Sequence, residues 1–162
     1  MLKSIVWLIL ITLIPAFELR ASIPIGIGRY KEPWPLVFIV CVVANIILGI
    51  VWYWVLEHVM ALVTRIKPIG RLWQWYVDRT QKRIEKAADK WGEWAVAVFI
   101  GIPLPGSGVY TGALAAYLIG LSFRKFMVAN AVGVLIAATI VTAVSVLGGE
   151  GLEWAKAIFL GE

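Results

Sequence analysis

The sequence predicts an all-α polytopic membrane protein of two repeats, each a re-entrant (broken) helical hairpin followed by a transmembrane helix. Hydrophobic residues make up 61% of the 162 positions, far more than a soluble domain of this length needs for its core. Two long apolar runs occupy similar places in the two halves, and each follows a polar interruption. We therefore expect a single integral membrane domain over residues 1–162, a multi-pass protein of the cell membrane.

Two apolar runs are long enough to cross a bilayer. The first, "PLVFIVCVVANIILGIVWYWVL" (Pro35–Leu56), contains Asn45 as its only clearly polar side chain. The second, Phe126–Leu147, is interrupted only by hydroxyl and amide side chains, namely Asn130, Thr139, Thr142 and Ser145. A hydrocarbon core of roughly 30 Å needs about 20 helical residues, so each run predicts one spanning helix.

The first apolar stretch, Ile5–Phe17, follows Lys3 and so has the outline of a signal peptide. The "ELRAS" sequence after it is a poor processing site, and we interpret the stretch as part of the folded protein. The single cysteine, Cys41, lies within the first predicted span, where packing is its simplest use.

A polar linker joins the two halves over residues 65–93. Residues 65–94 hold eight of the fifteen Lys and Arg residues, so the positive-inside tendency predicts a cytoplasmic position. Apolar side chains recur there close to a 3.6-residue period, opposite a basic face. Two interpretations stay open: an amphipathic helix in the lipid headgroup region, or a solvated connector whose apolar face packs on the bundle.

A shift of 85 residues superimposes the two halves without a gap. Ser22 falls on Ser107, and "VAN" at 43–45 falls on "VAN" at 128–130. This match predicts an internal duplication, with repeat one at 4–64 and repeat two at 94–148. The C-terminal tail, 149–162, begins at a glycine pair and is assigned no chemistry.

Both repeats carry their interruption at the same point, "FELRASIP" in the first and "IPLPGSG" in the second. Re-entrant hairpins would make the repeats inverted, whereas broken helices that still span would make them parallel. Loop charges give the same distribution for both topologies. The apolar arm Trp94–Ile102 is too short to cross the bilayer, which favours the re-entrant arrangement.

Glu18 and Arg20 are charged residues within the predicted first hairpin. Each costs about 2.5–3.5 kcal/mol at mid-membrane on insertion scales, so they must pair or contact water. On a regular helix i and i+2 point apart, but Pro24 favours an extended segment over Glu18–Pro24 that places both on one side. Unwound backbone at membrane depth is tolerated in buried or hydrated surroundings, so we expect a water-filled cavity here.

Together the two interruptions predict a site for an anionic headgroup. Arg20 offers a forked, permanently charged donor, and the amides near Gly106, Ser107 and Gly108 can form an anion-binding nest. The candidate substrate-binding residues are Glu18, Arg20, Ser22, Pro24, Pro103, Pro105, Gly106, Ser107 and Gly108, and the candidates for cavity lining are Asn45 and Asn130.

Each of these residues has a structural alternative. Glu18 is either the ionised partner of Arg20 or a group that takes up and releases a proton during transport. The pair as a whole could hold two helices together, as buried ion pairs do. The two serines could bond to helical carbonyl groups, and the two asparagines could form interhelical hydrogen bonds.

The motifs "PAFELRASIPIGIG" and "GIPLPGSGVYTGALAAYLIGL" resemble the small multidrug export protein family, which is similar to the wider DedA or SNARE-associated (VTT) superfamily. The resemblance implies two re-entrant elements that face each other near mid-membrane. DedA relatives are associated with moving polyprenyl-phosphate carriers or phospholipids between leaflets. By that likeness Glu18 and Arg20 match the charged motif, and Pro103, Pro105, Gly106 and Gly108 match the glycine-proline turn. The second half has no charged counterpart of Arg20.

The leading functional hypothesis is a transporter or flippase of an amphiphilic anion such as a polyprenyl phosphate, coupled to protons through Glu18. The alternatives are an exporter of cationic amphiphiles and a non-transporting membrane scaffold. We do not expect an enzyme, because one histidine and few intramembrane acids supply neither a nucleophile with its base nor a metal site. Membrane lipids are the expected partners, with a homodimer as one arrangement, and we expect neither a cofactor nor nucleic acid.

Overall fold

The computed structural model describes residues 2–15, 17–63, 92–104 and 107–147. These residues are helical or irregular and contain no strand, which confirms the all-α prediction for the described chain. The helices are α1 (Leu2–Thr12), α2 (Glu18–Pro24), α3 (Trp34–Val63), α4 (Gly92–Gly101), α5 (Val109–Leu118) and α6 (Phe123–Leu147). The interpretations made for linker residues 65–91 and for the tail at 149–162 fall outside the described residues.

The two long helices, α3 and α6, are the candidate membrane spans. Their apolar segments, Trp34–Met60 and Phe123–Leu147, have mean hydropathies of 2.6 and 2.2. At about 1.5 Å per residue both exceed a hydrocarbon core of roughly 30 Å. Pro35 stands in the first turn of α3, where its missing N–H costs nothing.

α3 and α6 pack side by side in antiparallel directions. Near the end of α3, the Tyr53 ring stacks on that of Phe126 with centroids 4.6 Å apart. At the opposite end, Trp34 of α3 lies in one groove with Leu147 of α6. The end of α3 and the start of α6 therefore lie at the same end of the bundle.

α4 and α5 form a short hairpin that reaches only half-way along α6. A Cβ atom on Gly133 would lie 2.6 Å from the carbonyl oxygen of Ala97, and one on Gly101 would lie 3.1 Å from Ile136. α4 therefore runs parallel to α6 and ends level with its middle. α5 returns to the start of α6, where the Leu121 carbonyl accepts a hydrogen bond from the Tyr53 hydroxyl.

α1 and α2 form the corresponding hairpin in the first half. The Thr12 hydroxyl donates to Ser22 at 2.8 Å, and the Ser22 hydroxyl lies 3.2 Å from the Cys41 sulfur on α3. Further toward the start of α3, Gly26 packs against Leu8 and Val37. α1 therefore runs parallel to α3, and α2 runs antiparallel to both.

The segment Glu18–Pro24 is an α-helix, so the prediction of an extended backbone there is wrong. Pro24 is the last residue of α2, where its missing N–H removes one helical hydrogen bond, to the Arg20 carbonyl, and does not unwind the preceding turn. Residues Ile25–Arg29 form a π-helical turn, in which the N–H of Tyr30 donates to the carbonyl of Ile25 at 3.0 Å. The helical structure is interrupted earlier, between the end of α1 at Thr12 and the start of α2 at Glu18.

A buried ion-pair clasp at the hairpin tips

Arg20 joins the first hairpin to the turn of the second. Its side chain is 3% exposed, and Nη1 donates to Oε2 of Glu18 at 3.0 Å. The N–H groups of Nη2 are shared among the carbonyl oxygens of Ile100, Ile102 and Ser107, at 3.1, 3.0 and 3.1 Å. Carbonyl groups at a helix end have no partner within the helix, so the guanidinium supplies a donor to the Ile100 carbonyl at the end of α4.

Glu18 makes the complementary contact with the start of α5. Its carboxylate accepts hydrogen bonds from the backbone N–H groups of Val109 at 3.1 Å and Tyr110 at 3.4 Å. An anion at a helix N-terminus is favourable because the first N–H groups point outward without helical partners. Glu18 therefore acts as a bound anion supplied by the protein itself.

Backbone conformation explains how residues i and i+2 of one helix can meet. Glu18 has φ 47°, in the left-handed region that a non-glycine residue rarely adopts. Because Glu18 is the first residue of α2, this conformation turns its side chain toward Arg20 without disturbing the rest of the helix. Strained backbone of this kind costs of the order of 1–3 kcal/mol and persists only where surrounding contacts hold it.

We call this arrangement the clasp: Glu18 and Arg20 with the backbone groups of Ile100, Ile102, Ser107, Val109 and Tyr110 that they contact. Both charged residues are 2% exposed. The sequence predicts a water-filled cavity that compensates the charges of Glu18 and Arg20. In the structure, backbone amides and carbonyl groups of the second hairpin contact both charged side chains. Among the residues that the structure describes, the buried Nε atom of Arg20 has no hydrogen-bond partner.

Four of the predicted site residues come together at the clasp: Glu18, Arg20, Ser107 and Gly108. The Ser107 hydroxyl donates to the Ile102 carbonyl at 2.6 Å and lies 3.4 Å from Nη2 of Arg20. Pro103 lies in the same turn, between two of the carbonyl groups that the clasp residues contact. Pro105 and Gly106 fall outside the described residues.

The other predicted residues lie elsewhere. Ser22 bonds within the first hairpin, to Thr12 and Cys41, and Pro24 ends α2. Asn130 donates to the carbonyl of Ile46 at 3.1 Å, which is an interhelical hydrogen bond between α6 and α3. Asn45 is 1% exposed, and neither its Oδ1 nor its Nδ2 atom has a hydrogen-bond partner in the described part of the chain.

Sequence reasoning placed an anion-binding nest of amides near Gly106, Ser107 and Gly108, but it missed the carbonyl groups that Arg20 contacts, the choice of Glu18 as the bound anion and the role of Tyr110. The Tyr110 hydroxyl donates to the carbonyl oxygen of Leu13 at 2.6 Å, so the two hairpin tips are also joined outside the ion pair. Backbone amides and carbonyls leave no residue-type signal. Tyr110 did leave one, because it is the largest polar side chain in "GSGVYTG".

The fold and the clasp define a class: small helical membrane proteins in which two short hairpins meet beside a pair of long apolar helices. The chain belongs to the small multidrug export family, because a family model described as "Putative small multi-drug export protein" matches residues 18–140. That range includes Glu18, Arg20, the turn of the second hairpin, all of α3 and the first 18 of the 25 residues of α6. No curated protein and no solved structure matches the chain. The relationship to DedA stays a prediction.

Proposed function

We propose that the protein is a multi-pass transporter of the cell membrane that moves an amphiphilic anion between leaflets. A lipid phosphate such as a polyprenyl phosphate is the simplest substrate. The observation that carries this proposal is the position of the Glu18 carboxylate, which is held by a guanidinium and two backbone amides. Phosphate and carboxylate headgroups are recognised by the same set of donors.

Hairpin geometry supports a re-entrant, inverted arrangement. The turn after α4 is level with Gly133–Ile136, about 15–20 Å along α6 at 1.5 Å per residue. α5 then returns to the end of the bundle at which α6 starts. α1 and α2 make the same excursion from the opposite end, so the clasp lies near the middle of both spans.

Transport requires the substrate headgroup to replace Glu18. An arriving anion would take the donors of Arg20, Val109 and Tyr110, while Glu18 takes up a proton as it leaves them. Release of the headgroup on the other side would return the proton and re-form the clasp. Opening to each leaflet in turn would come from parting one hairpin tip from the other.

Reconstituted vesicles test this proposal with a fluorescently labelled prenyl phosphate as the probe. Arg20→Ala removes the principal charge of the site, so we expect transport to fall to the level of protein-free vesicles. Arg29→Ala is the matched control, because Arg29 is exposed and lies outside the clasp. Both variants are checked for a monodisperse gel-filtration profile. Full activity of Arg20→Ala would overturn the assignment.

The family description names multi-drug export, and an exporter of cationic amphiphiles is therefore the second candidate. Glu18 would then bind the substrate, and Arg20 would pair with Glu18 while no substrate is bound. Substrate charge separates the two functions: a cationic dye such as ethidium replaces the prenyl phosphate in the same vesicles, and the candidate whose probe moves is retained.

A non-transporting scaffold is the third candidate, and the burial of the clasp favours it. In a scaffold, including one that assembles as a homodimer, the ion pair would serve only to hold the hairpins together. Mutation of Glu18 or Arg20 would then change stability without any substrate-dependent effect.

A further inference from the structure

Tyr110 lies between the clasp and the outer surface of the described bundle. Its N–H donates to the Glu18 carboxylate at 3.4 Å, and its hydroxyl donates to the Leu13 carbonyl at 2.6 Å. Its ring meets that of Trp52 edge-on, with centroids 5.0 Å apart. Tyr110 thus contacts the buried Glu18 carboxylate, Leu13 at the tip of the first hairpin and Trp52 of α3.

The seam between the hairpin tips faces outward at Tyr110. The Tyr110–Leu13 hydrogen bond is exposed, whereas the hydrogen bond between Arg20 and Glu18 is buried. The neighbouring side chains of the first tip are large, apolar and outward-facing: Leu13 is 42%, Ile14 45% and Phe17 40% exposed. In a membrane protein, such a surface faces acyl chains.

We propose that Tyr110 is the latch of a lateral opening between the hairpin tips. Through this opening the headgroup of a membrane-embedded amphiphile reaches Arg20, while its tail stays among the lipid acyl chains. The inference rests on the proposed transport function and deepens it, because it requires a substrate that has a tail.

The lipid around the seam determines how strongly the Tyr110–Leu13 hydrogen bond holds the two tips together. Leu13 follows the last residue of α1, so its carbonyl lies at a helix end, and lipid offers no water to replace the hydroxyl of Tyr110. The hydrogen bond therefore holds the seam closed. A phosphate oxygen accepts a stronger, charge-assisted hydrogen bond from the same hydroxyl, so an arriving headgroup releases the tip.

Amide hydrogen exchange in nanodiscs tests the latch without reference to transport. Tyr110→Phe removes only the hydroxyl, and we expect the amides of Val109 and Tyr110 to exchange about fivefold faster, the usual effect of losing one net hydrogen bond. Tyr117→Phe, the same change on the same helix, is the control and should exchange like the wild type. Trp52→Leu, which removes the ring behind Tyr110, should also accelerate exchange. Unchanged exchange in Tyr110→Phe would overturn the latch.

Vesicle assays test the requirement for a tail. We expect Tyr110→Phe to raise the initial rate for labelled prenyl phosphate, and no variant to move inorganic phosphate. Movement of inorganic phosphate by the wild type at the rate of prenyl phosphate would overturn the lateral route. Faster exchange in Tyr110→Phe, together with no movement of prenyl phosphate by the wild type, would support the latch and contradict the proposed transport function.

Discussion

The Glu18 carboxylate rests directly against Gly108, so that a Cβ atom at position 108 would lie 2.5 Å from the carboxylate carbon. The absence of a side chain lets the carboxylate reach the N–H groups of Val109 and Tyr110. Gly108 has φ −84°, so the requirement for glycine here is one of space and not of backbone conformation.

Gly108→Ala is expected to push the carboxylate away from the start of α5. Loss of two charge-assisted hydrogen bonds in a buried site should lower the free energy of unfolding by about 2–4 kcal/mol. Thermal and denaturant unfolding in detergent measure the change. Gly28→Ala is the control, because a Cβ atom there meets no atom of the described residues within 4 Å. Equal stability of the two variants would show that Glu18 does not need the space at Gly108.

Arg20→Lys keeps the charge and removes the fork. An ammonium can pair with Glu18 or approach the carbonyls of the second turn, but it cannot match the guanidinium, which uses one nitrogen for each. We expect a loss of about 2–3 kcal/mol in the free energy of unfolding, since a buried hydrogen-bonded group loses part of its partners. Prenyl phosphate transport should fall at least tenfold in vesicles. Wild-type behaviour in both assays would mean that charge alone is sufficient.

Asn45 and Asn130 should respond oppositely to replacement by leucine. Asn130→Leu removes the hydrogen bond to Ile46 and should destabilise the protein by about 1 kcal/mol. Asn45→Leu removes a buried amide that has no partner among the described residues, so it should leave stability unchanged or raise it by about 1–3 kcal/mol. Unfolding measurements on both variants decide this. A destabilised Asn45→Leu would point to a partner, such as an internal water, that holds the amide.

Loss of transport in a stable Asn45→Leu would have a different meaning. An unpaired amide is costly in the interior of a membrane protein, and stability alone gives no reason to keep one. The combination of higher stability and lower transport would therefore assign Asn45 to the substrate path.

Gly133 sets the closest approach between α4 and α6. A Cβ atom there would lie 2.6 Å from the backbone oxygen of Ala97, so Gly133→Ala must move α4 as a whole. At Gly112 the atoms in the way belong to the flexible side chain of Ile100, which can rotate. We expect Gly133→Ala to cost about 1–3 kcal/mol, as overpacking usually does, and more than Gly112→Ala. The reverse order in unfolding measurements would contradict this close helix crossing.

The sequence correctly predicted an all-helical protein and the two candidate spans, because both depend on properties that neighbouring residues share. The length of an uncharged apolar run can be counted in the sequence and compared with the thickness of a membrane, which identifies a candidate span. The membrane character and the family could be recognised on the same basis, from "FELRASIP" and "IPLPGSG" in local order.

The local conformation of the first interruption could not be predicted in this way. From its local preference, Pro24 predicts extended backbone before it, but in the folded protein it ends a short helix that begins at Glu18. Contacts made by distant residues determine that beginning. Glu18 has φ 47°, a conformation that no local propensity favours for glutamate, and its carboxylate contacts the distant amides of Val109 and Tyr110.

The sequence by itself determined that an acid and a base would lie within an apolar environment and would need compensation, since that follows from the cost of burying charge. Only the tertiary structure decided what compensates them. Arg20 bonds to carbonyls 80 to 87 residues away and Glu18 to amides 91 and 92 residues away. Those partners are backbone groups, which every sequence possesses, so only the folded approach of the two hairpins could select them.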